Sequence, residues 1–529
     1  MSQSTTLARP FSFATNLASR TIPCSLKQVV SSVILCAIFT SVVALAQPKS
    51  EAKNPSAPSS ATVGQWAAPV NFCTFPCLVG ANAAVLNNGN VLFYYYPATG
   101  TLNSQAMLLN PTTGALTNVT LTQSADIFCS GLSILENGTV LVTGGNAEGY
   151  KCGQEGGGSG CGTTNSMLFA PGNSSWTVGT AMNFARWYPS SIELNDGTLL
   201  EMAGTDSTGS WVQTALETYN YTANTWTTLP ASATLPSAVA QVYPRLSLMP
   251  SGNVFLSSPA QKSYQFNPTT NTWSYVATVN FGYRYFAPHV LLPGQEKVMV
   301  AGGSPSKENG GGTATNTAEI IDLSAAKPAW SYTGSMNYAR YNENLVLLAD
   351  GTVLAVGGGG GGGRYTNPVL SAELYDPSTA QWTLMASQTV QRTYHSTAVL
   401  LPDGRVVSAG SDNGAATQVT YEIYSPPYLF KGARPTIKSA PTALTYGKKF
   451  NISTPNASTI TRVALVRPGA TTHADNFDQR YVDLTFTVGA GSIQATAPPN
   501  GNEAPPGYYM LVIVNSNGVP SIMPFLLLN

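Results

Sequence analysis

Histidine is scarce in this 529-residue chain, which has three: His289, His395 and His473. His395 directly follows Tyr394, and His473 lies in the polar stretch GATTHADNFDQR. Imidazole nitrogens and phenolic oxygens form an N/O ligand set that in tetragonal geometry favours Cu(II). Zinc is disfavoured, because neither a cysteine pair nor an HExxH spacing accompanies the histidines. His289, flanked by APHVLLPG, reads as a structural strand residue. Of seven cysteines, Cys24 and Cys36 fall in an apolar N-terminal segment, leaving Cys73, Cys77, Cys129, Cys152 and Cys161. The close pairs Cys73/Cys77 and Cys152/Cys161 suit local disulfides in an oxidising compartment, although spacing does not fix connectivity. On that pairing Cys129 is left over, either as a buried small hydrophobe or as a reactive thiol.

Residues this far apart in sequence need a scaffold that gathers them. An apolar strand, a glycine turn and a second apolar strand recur as AVLNNGNVLFYY, LSILENGTVLVTGG, SIELNDGTLLEMAG, LSLMPSGNVFL, HVLLPGQEKVMVAGG, LVLLADGTVLAVGG and AVLLPDGRVVSAG. Asn-Gly and Asp-Gly between alternating apolar runs are strong hairpin signals. After most copies a second hairpin ends in tryptophan, at Trp176, Trp226, Trp273, Trp330 and Trp382. Two hairpins per repeat of roughly 50 residues predict four-stranded kelch-type blades. Seven copies predict a seven-bladed β-propeller over residues 64–431, although the weak copy at Gly294 leaves six or eight compatible. The β-runs of residues 432–529 predict an immunoglobulin-like β-sandwich, so the fold class is all-β. The run Gly357–Gly363 lacks a following Lys-Ser/Thr and a helix, and reads as a flexible blade loop rather than a phosphate cradle.

Equivalent positions in a propeller sit at equivalent depths around its axis. Counting back eight residues from the residue before each turn glycine reaches Cys129, Tyr188, Tyr243, Asn342 and His395, the last beside Tyr394. These positions belong near the start of a strand, at one rim of the central channel. His473 joins them only if its sandwich loop reaches that channel.

Composition narrows the class. Only 9% of residues are charged while 43% are apolar, which predicts a folded core. With 25 Lys+Arg against 25 Asp+Glu there is no polyelectrolyte footprint, which argues against nucleic acid. Residues 1–46 carry Arg9, Arg20 and Lys27 before an apolar run that closes on Ala44-Leu45-Ala46. They read as a signal peptide of a secreted or otherwise extracytoplasmic protein. A membrane anchor is the bland alternative, but the run is short of the roughly 20 residues that span a bilayer. Removing the segment gives 22 − 25 = −3, and residues 47–63 read as a disordered lead-in.

With these motifs assembled, the chain resembles the galactose oxidase and glyoxal oxidase family of copper radical oxidases over residues 64–529. The resemblance rests on IFCSGLS around Cys129, ARWYPSS around Tyr188, TYHSTAVLLPDGRV around Tyr394 and His395, and TTHADNFDQR around His473. It implies a thioether joining Cys129 to the Tyr188 ring as a one-electron cofactor. It also implies a copper ion held by Tyr188, His395, His473 and, axially, Tyr394. Tyr394 would take the substrate hydroxyl proton, a Tyr188 radical would abstract hydrogen from the adjacent carbon, and O2 would be reduced to hydrogen peroxide. The expected partners are O2 and a small alcohol, aldehyde or carbohydrate. The competing reading is a catalytically silent kelch protein that binds glycans or another protein. Where galactose oxidases stack a tryptophan over the thioether, the matching stretch MAGTDSTGSW offers Asp206, with Trp211 and Trp187 as other candidates. Their sugar-binding arginine has only Arg245, one position displaced. Simple primary alcohols or aldehydes are therefore expected in preference to galactose.

Overall fold

The computed structural model describes residues 59–73, 77–97, 101–147, 160–306, 312–412 and 417–529. The expected signal peptide lies outside them, as do residues 47–58 of the lead-in. Its last residues are ordered, contrary to expectation: Ser60–Val63 form a helical turn.

Seven sheets carry the repeat. Blade three shows the pattern, with strands Trp187–Glu193, Leu199–Thr205, Glu217–Asn220 and Thr225–Thr228 paired antiparallel in sequence order. The turn glycines Gly89, Gly138, Gly197, Gly252, Gly351 and Gly404 all have φ of 82° to 87°, which is why glycine recurs there. The weak copy is irregular because Gln295, after Gly294, is also left-handed at φ 61°. Its sheet nevertheless completes the count of seven.

Blade seven has three strands of its own, Ser396–Leu400, Val406–Gly410 and Thr420–Ser425. Gln65–Trp66 supplies its outer strand and so closes the ring. Tryptophan explains how the blades are stitched. Trp176, Trp226, Trp273 and Trp382 donate their indole N–H to Val119, Thr180, Ala233 and Gly334 carbonyls at 2.7–3.0 Å, each beside the preceding blade. Trp66 does the same to Ala386 at 2.8 Å, filling the blade-seven position from the other end of the chain.

A second set of ties runs inside the blades. Arg186–Glu217, Arg284–Glu319, Arg340–Glu373 and Arg392–Glu422 are fully buried ion pairs at 3.0, 2.8, 2.6 and 3.3 Å. Each arginine precedes a first strand and each glutamate lies on the third strand of the same blade. Breaking such a pair strands a buried charge and costs about 3–5 kcal/mol.

The C-terminal domain packs a five-stranded sheet against a three-stranded one, as a sandwich requires. Between Ile460–Arg467 and Arg480–Asp483 the chain leaves the sandwich as a hairpin, Ala470–Thr472 and Asp475–Asn476. This hairpin pairs with Asn82–Val85, with Thr472 opposite Asn82, and so extends the sheet of blade one.

Candidate metal centre

Backbone conformation explains why one phase of the repeat collects functional groups. Cys129, Tyr188, Tyr243, Phe286, Asn342 and His395 are all left-handed, with φ between 46° and 64°. They belong to blades two to seven, at the strand starts the repeat phase indicates except for Phe286, which falls one residue later. Consecutive members are tied by backbone hydrogen bonds of 2.9 Å, from Tyr188 N–H to Cys129 O and from Tyr243 N–H to Tyr188 O. Left-handed geometry costs a non-glycine residue roughly 1–2 kcal/mol. In exchange the strand turns its first side chain toward the axis. Blade seven carries an insertion that matters. Arg186, Arg284 and Arg340 stand two residues before the left-handed position, whereas Arg392 stands three before His395. The extra residue is why both Tyr394 and His395 enter the site.

His473 arrives from the sandwich. It and Ala474 form the hairpin tip, with φ of 50° and 62°. Arg245 holds the tip, donating to the His473 carbonyl at 2.9 Å and pairing with Asp475 at 3.2 Å. His289 contacts Asp475 at 3.3 Å and the Leu246 carbonyl at 2.9 Å, a structural role that leaves it outside the cluster. Arg245 is thus consumed by the hairpin.

The five expected residues meet in one buried cluster. The Tyr188 and Tyr394 hydroxyls share a short hydrogen bond. His473 Nε2 lies 3.2 Å from the Tyr188 hydroxyl and 3.7 Å from Cys129 Sγ. The His395 and His473 ring centres are 4.5 Å apart. Ligand atoms of Cys129, His395 and His473 all fall within 4.8 Å of one another. Cys129 is the free cysteine among the described residues. Cys73–Cys77 is a disulfide and Cys161 is disulfide-bonded, while Cys152 lies outside the described residues.

Hydrogen bonding orients both imidazoles. Thr472 Oγ1 donates to the Ala81 carbonyl at 2.8 Å, so the 2.7 Å contact with His473 must run from Nδ1–H to Thr472. His395 Nδ1 meets Asp412 Oδ1 at 2.6 Å. The His473 Nε2 lone pair therefore faces the cluster, and His395 Nε2 is buried with no partner among the described residues. A buried imidazole nitrogen left open in this way, beside two phenols, fits a copper ion. Burial pushes the Tyr188 and Tyr394 phenols well above their ordinary range and the His473 imidazole well below its own. The imidazole is neutral and free to ligate. The phenols remain protonated until a cation stabilises their ionised form.

Neighbouring residues complete the site, and of these Asp412 escaped sequence reasoning. Trp187 stacks on Tyr188, with ring centres 3.8 Å apart and planes at 13°, and Tyr243 also stacks on it at 4.6 Å. Asp206, the expected occupant of the covering position, instead accepts hydrogen bonds from Thr208 N–H at 3.0 Å and Thr208 Oγ1 at 2.7 Å, closing a turn of its own. Trp211 is 75% exposed. Gly160 makes room for the indole, since a Cβ there would sit 2.6 Å from Trp187. Asp412 takes the Tyr95 and Tyr365 hydroxyls at 2.9 Å each besides His395. Strand register was the available clue to it, because Ser396 pairs with Gly410 and residue 412 must lie beside 394–395.

The family model described as glyoxal oxidase N-terminus matches residues 102–428, and the galactose oxidase-like early set domain matches residues 434–525. The chain belongs to the glyoxal oxidase family. It is an enzyme of the copper radical oxidase class, and the reading as a silent binding propeller is set aside. It is 29% identical to a galactose oxidase of Gibberella zeae, over 87% of this chain and 70% of that protein. It is 28% identical to an aldehyde oxidase of Arabidopsis thaliana, over 79% of this chain and 74% of the other. A solved structure of a fungal alcohol oxidase in complex with copper superposes with a TM-score of 0.76 at 26% identity, covering 88% of this chain and all of that one.

Proposed function

We propose that Tyr188, Tyr394, His395 and His473 hold one copper ion, and that Cys129 and Tyr188 are joined by a thioether. The site so formed oxidises primary alcohols or aldehydes. One observation carries this reading: the Nε2 atoms of two imidazoles, one of them without a partner among the described residues, converge with two phenols and a free thiol in one buried cluster. When bound, copper supplies Lewis acidity and a one-electron couple.

The side chains do the rest. Tyr394, its hydroxyl against that of Tyr188, accepts the substrate hydroxyl proton as general base. Tyr188 takes the hydrogen atom from the adjacent carbon, and the rings of Trp187 and Tyr243 shield it from water. Overall RCH2OH + O2 gives RCHO + H2O2, and an aldehyde with water and O2 gives the acid and H2O2. Forming the thioether removes one hydrogen from the Cys129 thiol and one from the Tyr188 ring, again with reduction of O2 to H2O2. Arg245 is committed to the His473 hairpin and so does not clamp vicinal hydroxyls, and a strong preference for galactose is not expected. Residues 1–46 act as a signal peptide, so the enzyme is secreted. Among the described residues no helix is long and apolar enough to cross a membrane.

The test is aerobic copper loading, followed by peroxide assay and peptide mapping after full reduction. One Cys129–Tyr188 cross-linked peptide should accompany activity. Active enzyme whose Cys129 still alkylates would overturn the thioether.

A further inference from the structure

The glycine run ends at Arg364, and the loop is built rather than slack. Tyr341 donates its hydroxyl to the Gly363 carbonyl. Thr366 Oγ1 and Asn367 Nδ2 donate to the Gly361 carbonyl at 2.7 and 2.9 Å. Gly361 and Gly363 have φ of 108° and 147°, which side chains resist. The turn lays the Arg364 guanidinium over the Tyr394 ring, 4.5 Å from its centre.

Among the described residues Arg364 has no counter-ion. Arg186, Arg245, Arg284, Arg340, Arg392 and Arg467 each pair with a carboxylate. Among the described residues Arg364 forms no ion pair or hydrogen bond, and its Nε is buried without a partner. Asp412, which the adjacent Tyr365 reaches, is already occupied by His395, Tyr95 and Tyr365. A partly desolvated guanidinium is costly until an anion satisfies its fork of donors, and a carboxylate does so in two parallel bonds.

We propose that Arg364 is a specificity residue that binds a carboxylate on the substrate. The substrate class is then a primary alcohol or aldehyde with a carboxylate one or two carbons from the reacting carbon. The cation stands one tyrosine ring from the hydroxyl that accepts the substrate proton, and each added carbon extends the reach by about 1.5 Å. This inference rests on the oxidase reading of the site.

The experiment compares kcat/KM for glycolate against glycolamide and for 3-hydroxypropanoate against 3-hydroxypropanamide, in the parent enzyme, Arg364→Gln and Arg364→Lys. Each pair shares its hydroxymethyl group, so general damage to the copper site cancels in the ratio. The parent should favour the carboxylate by about 10- to 100-fold, the worth of a desolvated charge-assisted pair. Arg364→Gln should bring the ratio near unity, and Arg364→Lys should retain part of it. Ligand-observed NMR on copper-free protein should show 3-hydroxypropanoate binding in the parent and its loss in Arg364→Gln. A parent ratio at or below unity, or the same ratio in Arg364→Gln, overturns the proposal. Absence of peroxide with every compound refutes the oxidase reading instead, and the copper-free titration then decides the role of Arg364 alone.

Discussion

Replacing Asp412 by asparagine isolates the contribution of a residue that touches no proposed substrate. Three donors converge on its carboxylate: His395 Nδ1 at 2.6 Å and the Tyr365 hydroxyl at 2.9 Å on Oδ1, and the Tyr95 hydroxyl at 2.9 Å on Oδ2. Burial works to raise the Asp412 carboxyl, but His395 and the tyrosine hydrogen bonds outweigh it and hold the group below its ordinary range. Asparagine keeps the shape but offers one acceptor oxygen, and its NH2 would face a donor. At least one donor then loses its partner, at a cost of about 1–3 kcal/mol to the metal-free fold. His395 also loses the charge that fixes its tautomer and raises the basicity of Nε2. Copper affinity should fall about 10- to 100-fold, equivalent to roughly 1.4–2.8 kcal/mol. Tyr365→Phe removes one donor and leaves the carboxylate on His395, so its copper affinity should stay within about threefold of the parent. The assay is a chelator competition read by Cu(II) absorbance, with melting of the metal-free proteins in parallel. Copper affinity of Asp412→Asn within about twofold of the parent, alongside a lowered Tm, would show that the carboxylate only anchors its loop.

Trp187→Phe should preserve copper binding but shorten the lifetime of the oxidised site about fivefold, matching the loss of roughly 1 kcal/mol of ring stacking; decay of the radical absorbance measures it. Arg340→Met leaves Glu373 buried and unpaired, and a penalty of about 3–5 kcal/mol should lower Tm by roughly 3–5 °C if the described fold melts as one unit. Glu343 is buried with both oxygens unpartnered among the described residues, and burial pushes its carboxyl up to about 8. Because the folded value lies above the unfolded one, its contribution is fully present below about pH 4.5 and is lost as pH rises toward 8. Glu343→Gln should therefore melt near the parent at pH 5 and above it at pH 8.5, and a gap that does not widen with pH refutes this assignment.

Periodicity made the propeller legible, because a turn that needs left-handed glycine recurs in every blade and an indole tied to the preceding blade recurs in most of them. Phase within the repeat located Cys129, Tyr188 and His395, since the same backbone bend sits at the inner edge of blades two to seven. Closure by Trp66 was not legible, because a strand supplied from the far end of the chain carries no repeat around it. Trp187 and Trp211 were both candidates to cover Tyr188, and a local feature decides between them. Neighbours on a regular strand point to opposite faces, and only the left-handed φ of 64° at Tyr188 lets the two rings stack.

The sequence by itself therefore determined the blades, the second domain and the chemical identity of the cluster, all of which follow from short-range turn and strand chemistry. Tertiary structure decided how that cluster is completed. His473 enters because a sandwich hairpin adds a strand to blade one. Asp412 and Arg364 come from loops whose ends are set by register and by hydrogen bonds to glycine carbonyls. Side chains from different loops meet only after the ring has closed, and nothing in their local sequence encodes the distance between them.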